Sequence, residues 1–290
     1  MSRKKLLHQF ITLSCAVTPA LISFDGFGIL LKSDVNFPLN STLVLASEQL
    51  KSSPAPSAKK QRNVVDRVRA FKFPKNGSSR FCKKNNVCKD AVVRGEVFKA
   101  LVFKDENNPD EQFGLTYAEF PTFWLYFEDQ SQITSERSVT VRFTLFDDQT
   151  NTKVYQTDFQ LTGGTGIFNF QLPQTAPPLK IGKSYFWQFD ILYGEKNEHI
   201  WLSESGVIER QSPPSTQAIQ LEKSSPWDRI ILYGENGIWY EMLNELAQLR
   251  RLNPDDPEIK EAWFTLLDRP DVILSSLKSQ PLTSCCSIAK

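Results

Sequence analysis

Apolar and polar positions alternate with a period of two through the middle of this chain, and the period becomes helical after about residue 225. Val139, Val141, Phe143 and Leu145 alternate with Thr140, Arg142 and Thr144, the pattern of a strand with one buried face. Tyr155, Thr157, Phe159 and Leu161 repeat it. Gly163-Gly164 interrupts, and Phe168, Phe170 and Leu172 restart it as far as Pro173. Tyr185, Trp187, Phe189, Ile191 and Tyr193 form the clearest series of all. Residues 123–127 are apolar at every position, which predicts burial on both faces. Further segments near 97–103 and 200–208 bring the number to about seven or eight strands with regular turns, which predicts a mainly β, antiparallel β-sandwich over 91–210.

One local pattern refines that expectation. Leu179-x-x-Gly182-x-x-Tyr185-x-Trp187 is similar to the corner of immunoglobulin-like and fibronectin-like sandwiches. There a tyrosine near the start of a strand bonds its hydroxyl to backbone a few residues upstream. The glycine permits the tight crossover and the leucine fills the end of the sandwich.

Residues 211–224 contain a Ser- and Pro-rich stretch and read as a linker into a helical C-terminal region, 225–290. Ser225 is a helix N-cap with Pro226 at the first helical position, and the helix runs to about Glu235. Gly237 makes the turn into a second helix through Trp239, Leu243, Leu246 and Leu249, which ends before Asn253-Pro254. A third helix is expected over 257–267, capped by Asp256. Tyr233, Gly237, Leu246 and Pro254 fall near the offsets of a tetratricopeptide-like helical hairpin. A lone hairpin of that class cannot bury its own faces, so it must dock on the sandwich or on another protein. Trp239 and Tyr240 mark the candidate protein-binding face.

The N-terminal part reads differently. Ser2-Arg3-Lys4-Lys5 followed by a mostly apolar stretch predicts an export leader within 1–46, and hence a periplasmic, cell-surface or secreted protein. Residues 47–90 read as a flexible basic arm. Between Lys59 and Lys89 there are about eleven Lys or Arg against one acid, Asp66, while from Asp90 onward the net charge is about −11. The formal net charge of +1 for the 290 residues therefore conceals a basic arm on an acidic body, and the arm could attract an anionic polysaccharide. Nucleic acid is not an expected partner of an exported chain.

After Cys15, four cysteines remain: Cys82, Cys88, Cys285 and Cys286. Export makes disulfides the expectation. The pairing stays open between two bridges from the arm to the C-terminus and a closed Cys82–Cys88 loop. No C-x-x-C spacing accompanies the one post-leader histidine, His199, so no metal is expected.

The chemistry-bearing residues form no catalytic constellation. His199 has no serine or cysteine motif around it and reads as a strand-edge residue. Thr162-Gly163-Gly164-Thr165-Gly166 lacks the Lys-Ser/Thr of a phosphate loop and reads as a hairpin turn. Glu119, Asp147, Asp148 and Glu204 could in principle supply a carboxylate pair for hydrolysis. Glu119, among aromatics, is the acid most worth following; its plainer role is as partner to a nearby Arg or Lys. Trp201, on the parity opposite to Ile200 and Leu202, is the best candidate for an outward ring that could stack on a sugar.

Ordered words along the body carry a resemblance. Lys99-Ala100-Leu101-Val102 is followed by Gly114-Leu115-Thr116-Tyr117-Ala118-Glu119 and Pro121-Thr122-Phe123-Trp124. Then come Pro177-Pro178-Leu179, Gly182, Tyr185 and Trp187, and Tyr233-Gly234-Glu235-Asn236-Gly237-Ile238-Trp239-Tyr240. Leu249-Arg250-Arg251 and Cys285-Cys286 complete the series. On these words the chain resembles a cyanobacterial family known as domain of unknown function 928. The resemblance implies export in a cyanobacterium and no established activity. Phe120 stands where the family pattern shows arginine, Tyr193 where a cysteine is expected, and Cys82 is additional.

The reading that follows is a non-catalytic adaptor or scaffold for another envelope or exported protein, without a small-molecule cofactor. A carbohydrate-binding module is the alternative, and a carboxylate-dependent hydrolase the second alternative.

Overall fold

The computed structural model describes residues 64–72, 97–105, 108–128, 139–161, 164–193, 197, 199–284 and 287–288. The leader and the candidate disulfide residues Cys82, Cys88, Cys285 and Cys286 lie outside the described residues.

The first strands are β1 (Phe98–Ala100), β2 (Lys104–Asp105), β3 (Asn108–Thr116), β4 (Thr122–Phe127) and β5 (Val139–Asp147). They are followed by β6 (Lys153–Leu161), β7 (Gly166–Gln171), β8 (Lys183–Tyr193), β9 (His199–Arg210) and β10 (Ser287–Ile288). They sort into a three-stranded sheet, β1-β4-β7, and a seven-stranded sheet, β10-β6-β5-β8-β9-β3-β2. The alternation seen in the sequence decides which side chains face inward. Phe143, Phe189 and Trp187 of the larger sheet meet Phe123 of β4, with ring centroids 5.4, 5.5 and 5.7 Å away. The two sheets thus face each other across an aromatic core.

Two strand expectations need correction. The larger sheet is not wholly antiparallel, because β3 pairs parallel to β9, Phe113 opposite Val207 and Thr116 opposite Arg210. A parallel partner needs a long connection, which a pattern of local turns does not reveal. The glycines after Leu161 do not make a hairpin either: β6 and β7 belong to different sheets, and Gly164, at φ +67°, lies on the crossing between them. The tyrosine corner has the expected geometry. Tyr185 accepts a hydrogen bond from the Lys180 N–H at 3.0 Å, Gly182 sits at φ +73°, and Leu179 is buried.

Six helical residues in the arm form α1 (Val64–Arg69), and the C-terminal region holds α2 (Ser215–Lys223), α3 (Pro226–Glu235), α4 (Trp239–Leu252) and α5 (Pro257–Leu267). The caps fall where the sequence puts them. Ser225 accepts from the Asp228 N–H at 3.2 Å, and Asp256 accepts from the Glu258 and Ile259 N–H groups at 2.9 and 3.1 Å. Gly237, at φ +72°, turns the chain from α3 into α4. The expected linker 211–224 is instead mostly α2, which starts directly after Pro213-Pro214; proline there ends the extended segment and is compatible with a helix start. The expected flexible arm is likewise ordered over 64–72, where Val65, Val68 and Phe71 are buried.

The helices dock on the sheets, and the docking runs through three successive residues of α4. Trp239 donates from Nε1 to the Leu101 carbonyl at 2.9 Å. Tyr240 lies between the sheets, its ring 5.4 Å from Phe123 and its hydroxyl accepting from Trp187 Nε1 at 2.9 Å. Glu241 accepts from the Thr116 hydroxyl and, at 3.0 Å, from the Ala118 N–H. Gly114 makes room for this junction, since a Cβ there would stand 2.7 Å from the Tyr240 ring. On the other face of β4, Trp124 donates to Asn244 at 3.2 Å and lies under the Arg251 guanidinium at 5.0 Å. This is why 123–127 are buried on both faces.

Two outcomes test the junction. Tyr240→Phe keeps the ring but leaves the buried Trp187 N–H without its acceptor, and should lower unfolding free energy by about 1–3 kcal/mol in a urea titration. Burial raises the Glu241 carboxyl above its ordinary range, against the lowering effect of its hydrogen bonds. A carboxyl raised in the folded state contributes stability in full below its unfolded pKa and loses it as pH rises through the folded value. Glu241→Gln has no such charge to bury. The urea midpoint of the variant should therefore gain on that of the parent as pH rises above about 4.3, the ordinary glutamate value.

Candidate functional site

A groove opens where the flank of one sheet meets the flank of the other. β7 flanks the small sheet, and β6 flanks the large one apart from the two-residue β10, which among the described residues pairs with Phe159 and Gln160 alone. The inward side chains Tyr155, Thr157 and Phe159 of β6 face Phe170 of β7. The rings of Phe159 and Phe170 stack at 5.0 Å and 14°, and Phe170 is anchored behind by Phe143 at 4.9 Å and Phe189 at 5.5 Å. The resulting groove has a volume of about 280 Å³, and Asn169, Gln171, Pro173 and Thr175 complete its lining. Arg251 of α4 donates to the Asn169 side-chain oxygen at 3.1 Å, which orients that amide. The lining offers aromatic rings, two amides and three hydroxyls, and among the described residues none of its side chains is charged.

The residues singled out in the sequence do not converge on this groove or on one another. Trp239 and Tyr240 are buried and use their polar atoms inside the protein, so the expected protein-binding face at these two residues has no surface to present. Trp201 is the outward ring expected of it, 37% exposed on β9, three strands away from the groove across the large sheet. Glu119 takes the plainer of its two roles and pairs with Arg210 at 3.1 Å. Arg210 also donates to the carbonyls of Leu179 and Tyr117, tying the corner to the end of β3.

The other acids are each engaged with a structural partner. Asp147 caps the turn after β5, accepting from the Gln149 and Thr150 N–H groups at 3.0 Å and from Lys183 at 2.7 Å. The Lys183 ammonium foremost holds its carboxyl down at about 2. Glu204 accepts from Gln112 at 2.8 Å in a buried pair. On the outer face of the large sheet, register aligns Asp158, Arg142, Asp190 and Ser203 in one row across four strands. Arg142 forks onto Asp158 with two 2.8 Å bonds, and Asp190 accepts from Ser203 and from Gln188. Burial raises the Asp190 carboxyl despite these donors. His199 is an exposed residue at the start of β9. Among the described residues no group of three or more His, Cys, Asp or Glu is placed to hold a metal ion, and no helix is long and apolar enough to cross a membrane.

The groove residues were visible in the sequence only as strand residues. Tyr155, Thr157, Phe159 and Phe170 carry the inward alternation, and an inward position at a closed part of the core has the same pattern as one at an open mouth. Asn169 and Gln171, amides interleaved with those aromatics, are the one signal that could have been weighed.

A comparison with curated proteins finds no match. The model of the family described as Domain of Unknown Function (DUF928) matches residues 82–282, which take in β1 to β9, the groove and helices α2 to α5. With well over half of its length covered in this way, the chain belongs to the DUF928 family.

Proposed function

We propose that this protein is a non-catalytic binding module of the cell envelope that holds a neutral saccharide in the groove between β6 and β7. The observation that carries the reading is the lining: aromatic rings beside amides and hydroxyls, with no charge. A sugar presents apolar C–H faces that pack on rings, and hydroxyls that hydrogen-bond to amides. A carboxylate pair for hydrolysis would need acids at the groove, and an anionic polysaccharide would need cations there. The reading takes the two sheets as an immunoglobulin-like sandwich, supported by the Tyr185 corner, and α3 with α4 as a tetratricopeptide-like hairpin, supported by the Gly237 turn. Export rests on the leader pattern of the first residues.

Affinity electrophoresis through gels containing neutral glucans, mannans or xylans, with alginate and pectate as anionic controls, tests the proposal. Retardation is expected with at least one neutral polymer. Tyr155→Ala and Gln171→Ala should each weaken it about tenfold, equivalent to about 1.4 kcal/mol. Trp201→Ala should leave it unchanged. Loss of binding with Trp201→Ala alone would transfer the site to the outer face, and no retardation by any neutral polymer would end the saccharide reading.

A further inference from the structure

On the helical side a piece of the chain itself, α1 with the residues after it, packs against α3 and α5. Val65 and Val68 of α1 and Phe71, two residues past its end, are all buried. Gly234 of α3 forms the socket for the aromatic residue: a Cβ at that position would stand 2.5 Å from three atoms of the Phe71 ring. The end of α1 is held by its backbone. Arg269, fixed by Asp271 at 2.7 and 2.9 Å, donates to the carbonyls of Val68, Arg69 and Phe71 at 2.8–2.9 Å. Val68 and Arg69 belong to the last turn of α1, where a helix runs out of intrahelical donors, and Phe71 follows it. On the flank, Arg67 pairs with Glu235 at 3.0 Å.

These features make up a receptor for a short segment that begins as a helix: helices that bury its apolar side chains, a ring socket with a glycine floor, a guanidinium that reads main-chain carbonyls, and an acid for a basic side chain. The receptor parts, Gly234, Glu235, Arg269 and Asp271, lie within the family-matched span 82–282, whereas the occupant at 64–72 lies outside it. We infer that the surface formed by α3 and α5 is a docking site for a segment of a partner protein that is helical at its start, with apolar residues at i, i+3 and i+6 and a basic residue at i+2, and that residues 64–72 fill it in cis. Covalent attachment gives the cis segment a high effective concentration, so a partner segment engages the surface only by displacing it. This surface is separate from the saccharide groove, and neither proposal depends on the other.

The test uses the full chain. A fluorescein-labelled peptide of residues 63–72 is titrated with the parent and with a Val68→Asp, Phe71→Ser double variant, read by fluorescence anisotropy with folding followed by circular dichroism. The expected result is saturable binding to the folded double variant, at least about tenfold weaker binding to the parent, and at least about tenfold loss when Arg269→Ala is added to the double variant. Four results would overturn the inference. The first is no binding to a folded double variant, and the second is equal binding by parent and variant. Unfolding of the double variant would make 64–72 an integral part of the core. A parent dimer that the double variant does not form would assign the surface to exchange between two copies.

Discussion

Tyr240 enters the gap between two β-sheets from the first turn of a helix, and the Trp187 indole N–H donates to its hydroxyl in the buried interior. A phenol in that position satisfies two demands at once. Its ring continues the aromatic core through Phe123, and its oxygen accepts a hydrogen bond from an indole that would otherwise be buried without an acceptor. Its neighbours extend the arrangement in two directions. Trp239 reaches the backbone after β1, and Glu241 reaches the end of β3, so three consecutive side chains fix one helix against three parts of the β-structure. Burial also pushes the Tyr240 hydroxyl well above its ordinary value, so the phenol stays protonated across the range in which proteins are handled.

This junction also determines where the molecule is open. Helix α4 covers the outer face of β4 and fills the gap on the side of β3, Arg251 lying over Trp124 at the far end of the same helix. By strand order, β6 and β7 are on the opposite side, and among the described residues only the two of β10 extend the larger sheet there. The aromatic core therefore reaches solvent at that flank, and the proposed ligand groove is the exposed margin of the same packing that Tyr240 closes elsewhere. The ionisable groups follow a similar division. Asp147, Glu119 and Glu204 serve turns, a strand end and a buried amide, and the groove itself is left without charge.

Much of the fold was legible because local physics determines it. A period-two alternation ending in a tyrosine corner placed β5, β6 and β8 and gave each a buried face. Ser225-Pro226, Gly237 and Asp256-Pro257 placed α3, α4 and α5 nearly to the residue, since capping and proline geometry act within a few residues. The parallel pairing of β3 with β9 had no local signature. Nor did the helix at 64–69, where a basic, proline-flanked composition outweighed the Val65, Val68 and Phe71 spacing that its packing depends on.

By itself the sequence determined most of the strands, the caps, the corner and the family, because each of these is written in residues close together along the chain. Only the tertiary structure decided which aromatic residues face solvent and which face the core. Trp239 and Tyr240 have the composition of a binding face, yet they are buried, because the sheets offer the Leu101 carbonyl and the Trp187 indole as partners. Tyr155 and Phe170 have the composition of a core, yet they line a groove, because the sheets close on one side and remain open on the other. Exposure depends on what packs against a residue from distant parts of the chain, and neither spacing nor residue type encodes that.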